Sequence, residues 1–375
     1  MSIKIKKGKI FFTSAFDVGW EINLGKVEDI LLNTKSTRLI FSKDPRKAII
    51  IKESPVKVEV PGEEIEILSQ KYKTNISARI WDYGAISVNI EIPLIKETSW
   101  EEILKIADTI ENSQEIEDIS IKIKNDIKSK IISCIKNPQE WEYFEDYITY
   151  FFNEIEGINK PNEIFDKVNI ADLILGETAN KLSQIASKQI TKNFLQYYDN
   201  DMAIIDWNSA IVIEPTDSRD IIDVIEFSLT HLLELRYYDY MIDKRLDELY
   251  DIIESENKLI KRILKTHYEK IAREASKNYV EFSDFIGKVE NSLKTVGDPY
   301  VATIFRNCAE QFRFQDWHHS ISRKMNTLFQ ITQIYHGEIT AIRSHILEII
   351  IIFLIAVEII PLIYQLTQKF ILGNF

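Results

Sequence analysis

Cysteine is nearly missing from this chain: Cys134 and Cys308 are the two among 375 residues, too few for a disulfide framework or a cysteine-based metal cluster. That usage suits a reducing compartment. Glycine is also scarce, at 11 residues, and none is spaced as G-x-G-x-x-G or G-x-x-x-x-G-K, the patterns that let backbone approach a phosphate. Nucleotide binding through such loops is not expected. Histidine is limited to six scattered positions, with no H-E-x-x-H, and there is no G-x-S-x-G elbow. The adjacent His318 and His319 would diverge by about 100° on a helix, so both are read as solvated or capping residues. An excess of positive charge is lacking too. A formal net charge of −12 argues against broad contact with nucleic acid, which would call for a basic surface. The N-terminus, MSIKIKKGKIFFTSAF, has lysines but no apolar core of a signal peptide and no arginine of a mitochondrial transit peptide. No catalytic set, cofactor site or metal site emerges.

What is present is a globular composition, 45% hydrophobic and 28% charged, long enough for two or three domains. The first part reads as strands: residues 9–16, 47–52 and 56–60, with a short helix near 26–32. Residues 72–92 read as a hairpin, because apolar alternation on both sides meets at Asp82, Tyr83 and Gly84. Ser99 and Glu102 form a capping box ahead of a helix, and a second helix is expected over about 115–135. The aromatic run at 141–152 suits a strand. The segment 80–93, IWDYGAISVNIEIP, is echoed by 204–215, IIDWNSAIVIEP, which suggests a duplicated strand-turn-strand-helix unit. Asp82 and Asp206 occupy matching places in it. A catalytic carboxylate pair is one reading, but aspartate before an aromatic and a Gly or Asn is ordinary turn chemistry.

The second half is helical. Thr216, Asp217 and Ser218 offer N-caps for a helix over 220–254 with an apolar seam at Ile225, Leu229, Leu232, Ile242, Leu246, Leu249 and Ile253. Arg236 could reach Asp239 within it, at i,i+3. A further helix is expected from Lys258 to about 293. From Pro299 one long helix is expected, bending near 315–318 and at Gly337. Its seam at Met325, Leu328, Ile331, Tyr335, Ile339 and Ile342 has nearly the 3.5-residue step of a coiled coil. The seam leads into residues 346–364, ILEIIIIFLIAVEIIPLIY, where only Glu348 and Glu358 are charged. That run would cover roughly 28 Å as a helix, close to the ~30 Å hydrocarbon core of a bilayer. It reads as a membrane anchor in which the two glutamates meet a neighbouring helix or reach the interface.

Two basic segments interrupt the acidic chain: Lys122, Lys124, Lys128 and Lys130, and then Lys258, Arg262, Lys265 and Arg273 with their neighbours. The second falls largely on one helix face and could touch anionic lipid or RNA, although a solvated face is the default.

The C-terminal residues SHILEIIIIFLIAVEII, preceded by KMNTLFQITQIYHGEITAIR, resemble the closing segment of the family named "required for meiotic nuclear division", with Glu348 and Glu358 at the places of its two glutamates. Ile349 stands where many members have an aromatic. The hairpin at 81–88 and the helix at 224–250 are more loosely similar. The resemblance implies a mixed domain, a helical stalk and one C-terminal span, no enzyme activity, and for eukaryotic members a mitochondrial membrane.

The expectation from sequence is therefore an α+β fold: a mixed domain at 1–216 with half repeats 1–112 and 113–216, a helical region at 217–297, a coiled-coil stalk at 298–345 and a transmembrane helix at 346–366. The expected function is a tail-anchored, non-enzymatic scaffold at the cytoplasmic face of an inner membrane. Its partners would be the bilayer and either further copies of itself or another protein, and it would need no cofactor. The alternatives are a membrane-associated hydrolase or transferase using Asp82 or Asp206, and a tether to RNA or the ribosome.

Overall fold

The computed structural model describes residues 3–31, 36–38, 54–95, 97–176, 194–254 and 299–372, with a few isolated positions between them. Its strands are β1 (Lys4–Asp17), β2 (Glu21–Ile22), β3 (Ser36–Arg38), β4 (Val56–Val60), β5 (Glu64–Ile67), β6 (Gln70–Lys73) and β7 (Asn75–Ile80). They continue as β8 (Ala85–Pro93), β9 (Thr98–Ser99), β10 (Ile135–Lys136), β11 (Phe144–Glu156), β12 (Phe194–Leu195), β13 (Met202–Ile205) and β14 (Ser209–Ile213). The helices are α1 (Leu24–Leu31), α2 (Trp100–Glu111), α3 (Gln114–Ile131), α4 (Ile170–Ile174), α5 (Asp220–Glu254), α6 (Pro299–Gln311) and α7 (Phe314–Leu372). Two compact units divide the chain: 1–239 with 283–319, and 240–282 with 320–375.

The first unit is built on one sheet, ordered β12-β13-β14-β11-β1-β8-β7-β4-β3, with β9 added against β1. Neighbours are antiparallel except β11 and β14, which run parallel. Side chains alternate across a strand, so each strand feeds two faces. Even-numbered residues of the central strands, such as Phe12, Val88, Ile90 and Tyr150, join the isoleucine-rich core under α2 and α3. Ile103, Ile106 and Ile110 of α2 and Ile116, Ile123 and Ile127 of α3 recur at helical spacing and supply the covering layer. The Ser99 side chain accepts from the Glu102 amide while Glu102 accepts from the Ser99 amide, so the capping box read in the sequence starts α2. Odd-numbered residues face the opposite way and are also buried, but they include Thr13, Asp17, Arg79, Ser87, Asn89 and Glu91. That second face is closed by the first half of α5, in which every residue from Ile221 to Thr230 is buried, and α6 packs on α5 through Phe305 against Phe227.

Both hairpins with the repeated sequence form, β7–β8 and β13–β14. They dock differently, since β8 runs antiparallel to β1 whereas β14 runs parallel to β11. The expected single helix from Pro299 is broken at Phe312 and Arg313, where Arg313 takes φ +55° and α6 ends before α7 begins. In the second unit, Lys324 of α7 meets Asp243 of α5 at 2.6 Å, and Met325 and Leu328 are buried. The side chains of Tyr335, Ile339 and Ile342 lie outside the described residues, as do the strand expected at 47–52 and the helix expected at 258–293.

The membrane anchor expected at 346–366 is overturned: among the described residues no helix is long and apolar enough to cross a membrane. Glu348, Glu358 and Pro361 divide the run, so its longest stretch free of charge and proline is the nine residues 349–357. Nine residues give roughly 14 Å of helix against the ~30 Å of a hydrocarbon core. The transmembrane part of the expected fold class falls with the anchor, as does the tail-anchored placement in an inner membrane, bacterial or mitochondrial.

At the β7–β8 turn, Gly84 has φ +101°, and a Cβ there would press into the Gly19 carbonyl. Positive φ and backbone contact together leave no room for a side chain. Gly84→Ala should lower stability by about 3 kcal/mol or more, read as a shift in the urea unfolding midpoint; an unchanged midpoint would show that the turn relaxes.

Candidate functional site

Five polar residues of α5 and the turn before it fall at helical spacing: Arg219, Asp223, Glu226, Thr230 and Glu234, in steps of four, three, four and four. They form a stripe against the polar face of the sheet, and the first four each bond to a group from β7, β8 or the turn between them. Arg219 Nη1 donates to Glu91 at 2.9 Å, and its guanidinium lies 4.8 Å from the Phe11 ring centroid. Arg79 donates to Asp223 at 2.5 Å and also to Glu226. Ser87 Oγ donates to Glu226 at 2.6 Å and accepts from Trp81 Nε1 at 2.9 Å. The Tyr83 and Thr230 hydroxyls are 2.7 Å apart. Burial works against the charge of Arg79, but Asp223 and Glu226 outweigh it and hold its pKa above the ordinary value.

The stripe ends in carboxyls that burial holds toward their neutral forms. Glu234 is 3% exposed, its Oε1 has no hydrogen-bond partner, and burial, with Asp17 and Asp82 nearby, pushes its pKa well up. Asp17, at the end of β1, accepts from Gln139 at 3.0 Å. Burial raises it to about 7, against the opposing pull of that hydrogen bond. Two residues further along α5, Arg236 pairs with Glu145 of β11 at 2.5 and 2.7 Å rather than with Asp239 as the spacing suggested. His231 is buried, its Nδ1 is 2.8 Å from the Phe227 carbonyl, and burial lowers its pKa to about 4, so it is neutral near pH 7. Among the described residues no group of three or more His, Cys, Asp and Glu is arranged to hold a metal ion.

Of the residues singled out from sequence, Asp82 lies near Glu234 at the end of this stripe and the others lie elsewhere. Asp82 and Asp206 sit in the turns of two separate hairpins; the Asp82 carbonyl accepts from the Ile22 amide and the Asp206 carbonyl from the Tyr147 hydroxyl. The first basic segment is neutralised: Lys122 pairs with Glu63, Lys124 with Glu140 and Lys130 with Asp126, while Lys128 donates to the Gln139 carbonyl. Lys258, Arg262, Lys265 and Arg273 lie outside the described residues. Met325 and Leu328 are buried and Ile331 is partly buried. Glu348 and Glu358 are exposed, with Glu348 3.4 Å from His345. Around them, thirteen large apolar side chains from Leu347 to Tyr364 are 47–66% exposed. The 4-3-4-4 spacing of the stripe is visible in the sequence of α5, but its partners on β7 and β8 are not, because they lie more than a hundred residues away.

These features define a mixed α+β domain in which a wide, mostly antiparallel sheet is sealed by an isoleucine-rich layer on one face and a charge-bearing helix on the other. A family model described as "Uncharacterized protein MJ0711, N-terminal domain" matches residues 7–219, and the chain belongs to that family. It is also similar to "Uncharacterized protein MJ0711" of Methanocaldococcus jannaschii, at 23% identity over 259 residues that cover 69% of this chain and 77% of the relative. No solved structure matches significantly. The match corrects the resemblance to the meiotic nuclear division family: the family signal lies in the sheet domain, not in the C-terminal third. A helix of isoleucines broken by two glutamates is a generic pattern that many unrelated chains can share.

Replacing Arg79 by Met would leave Asp223 and Glu226 buried without their cation, and should cost about 3–5 kcal/mol in urea unfolding. Adding Asp223→Leu and Glu226→Met to that variant should restore much of the loss; a triple variant no better than the single one would show that the pair does not act as a unit.

The pH dependence has a definite sign. A carboxyl whose folded pKa is raised stabilises fully below its unfolded pKa near 4, and loses that contribution as pH rises through its folded pKa. With Asp17 at about 7 and Glu234 also raised, these groups should lower stability between pH 5 and pH 7, Asp17 alone by roughly 2–3 kcal/mol. Asp17→Asn should flatten the slope; a stability that rises over that window would contradict the assignment.

Proposed function

We propose that the protein is a non-enzymatic assembly scaffold: the sheet domain is its folded body, and the exposed apolar length of α7 is the element that binds a protein partner. The observation that carries the reading is the continuous exposure of large apolar side chains from Leu347 to Tyr364. An exposed apolar surface on this scale marks an interaction site, because isolated surface hydrophobics are common but contiguous ones are not. The charged stripe under α5 supports the same reading in a different way. Around Arg79 and Arg219 its acids and bases are engaged with one another beneath a buried helix, where they fix the position of α5 on the sheet. The net charge of −12 favours a protein over a nucleic acid as partner.

A photo-crosslinking amino acid at position 353, which is 66% exposed, tests this in cells expressing the full chain. Discrete protein adducts on a denaturing gel are expected at 353, and none with the same label at the exposed position 207 in the β13–β14 turn. Adducts to lipid alone, or none, would contradict the proposal.

A further inference from the structure

We infer that the partner of α7 is the protein itself, and that three or more copies associate through residues 346–364; this rests on the scaffold reading above. The argument begins with the helical wheel. Glu348 and Glu358 fall about 80° apart at 100° per residue, and every other position from 347 to 364 is apolar. The arc free of charge therefore spans about 280°. A helix that packs on one neighbour has an apolar stripe of about 100–140°, so a single partner helix would leave most of this arc in water. Two or more neighbours are needed.

Cyclic association of identical chains supplies them, because each copy in a closed ring of three or more has a neighbour on each side. The area is sufficient as well. Thirteen side chains at 47–66% exposure offer on the order of 1,200 Å², above the ~800 Å² per partner of a standard interface. The spacing fits helix against helix: the seam of Tyr335, Ile339 and Ile342 continues through Ile346, Ile349, Phe353, Ala356, Ile360 and Ile363 in alternating steps of three and four. Isoleucine dominates those positions, a composition that favours three or four strands over two. Glu348 and Glu358 then lie on the arc turned toward water.

Sedimentation velocity of the full chain at micromolar concentration, without detergent or lipid, tests the inference, with Phe353→Glu beside it. Because Phe353 is exposed, the variant should keep the wild-type circular dichroism. The wild type should sediment as three or more chains, and the variant's assembly midpoint should move at least tenfold higher in concentration, a factor of ten being about 1.4 kcal/mol. A wild type that stays monomeric or dimeric, or a variant that assembles unchanged, would overturn self-association through this segment. If the wild type is monomeric yet the label at 353 captures a different protein, the scaffold reading stands and only the identity of the partner is wrong. If it is monomeric and floats with neutral phosphatidylcholine vesicles, both are wrong, because the apolar arc then covers itself with lipid.

Discussion

The docking of α5 on the sheet depends on one buried ion pair set, Arg79 with Asp223 and Glu226. A sheet buried on both faces can be sealed by apolar packing alone, as it is here under α2 and α3. On the other face the residues that alternate with isoleucines are Ser87, Asn89 and Glu91, which cannot be buried without hydrogen-bonding partners. The helix that covers them must carry matching groups at matching spacing, and α5 does so with Arg219, Asp223, Glu226 and Thr230. Such a pair set need not add net stability over an apolar replacement, since desolvation offsets most of the attraction. It does penalise displacement. Sliding α5 by one turn would leave an arginine and two carboxylates buried without partners, so the charges fix the register of the helix even where they contribute little to its affinity.

Glu234 and Asp17 lie toward the end of the same stripe, where the logic changes. Burial favours their neutral forms, and for Asp17 it outweighs the pull of the Gln139 hydrogen bond and of Lys128. The α5 interface is thus ionic near Arg79 and proton-dependent near Glu234.

Much of the first unit could be read in the residues. The Ser99–Glu102 capping box, the turn at Asp82 to Gly84 and the start of α5 are encoded locally, within a few residues, and all appear where the sequence places them. The sheet order could not be read: β1 is flanked by β8 and β11, and nothing local says that β14 should join β11 in parallel. Arg79 and Glu226 are 147 residues apart, so their pairing is invisible to spacing, although the polar stripe on α5 was open to view. The C-terminal helix misled for a different reason. Hydropathy summed over nineteen residues weighs Glu348 and Glu358 as minor costs, whereas their positions cut the run into short pieces.

The most direct measurement is hydrogen exchange of the α5 amides in the full chain and in Arg79→Met. If the charged set holds α5 on the sheet, amides in 222–235 exchange as slowly as those of β1 and β8 in the wild type, and far faster in the variant while β1 and β8 stay protected. Equal protection of 222–235 in both proteins would contradict the account, because α5 would then be held by its apolar contacts alone.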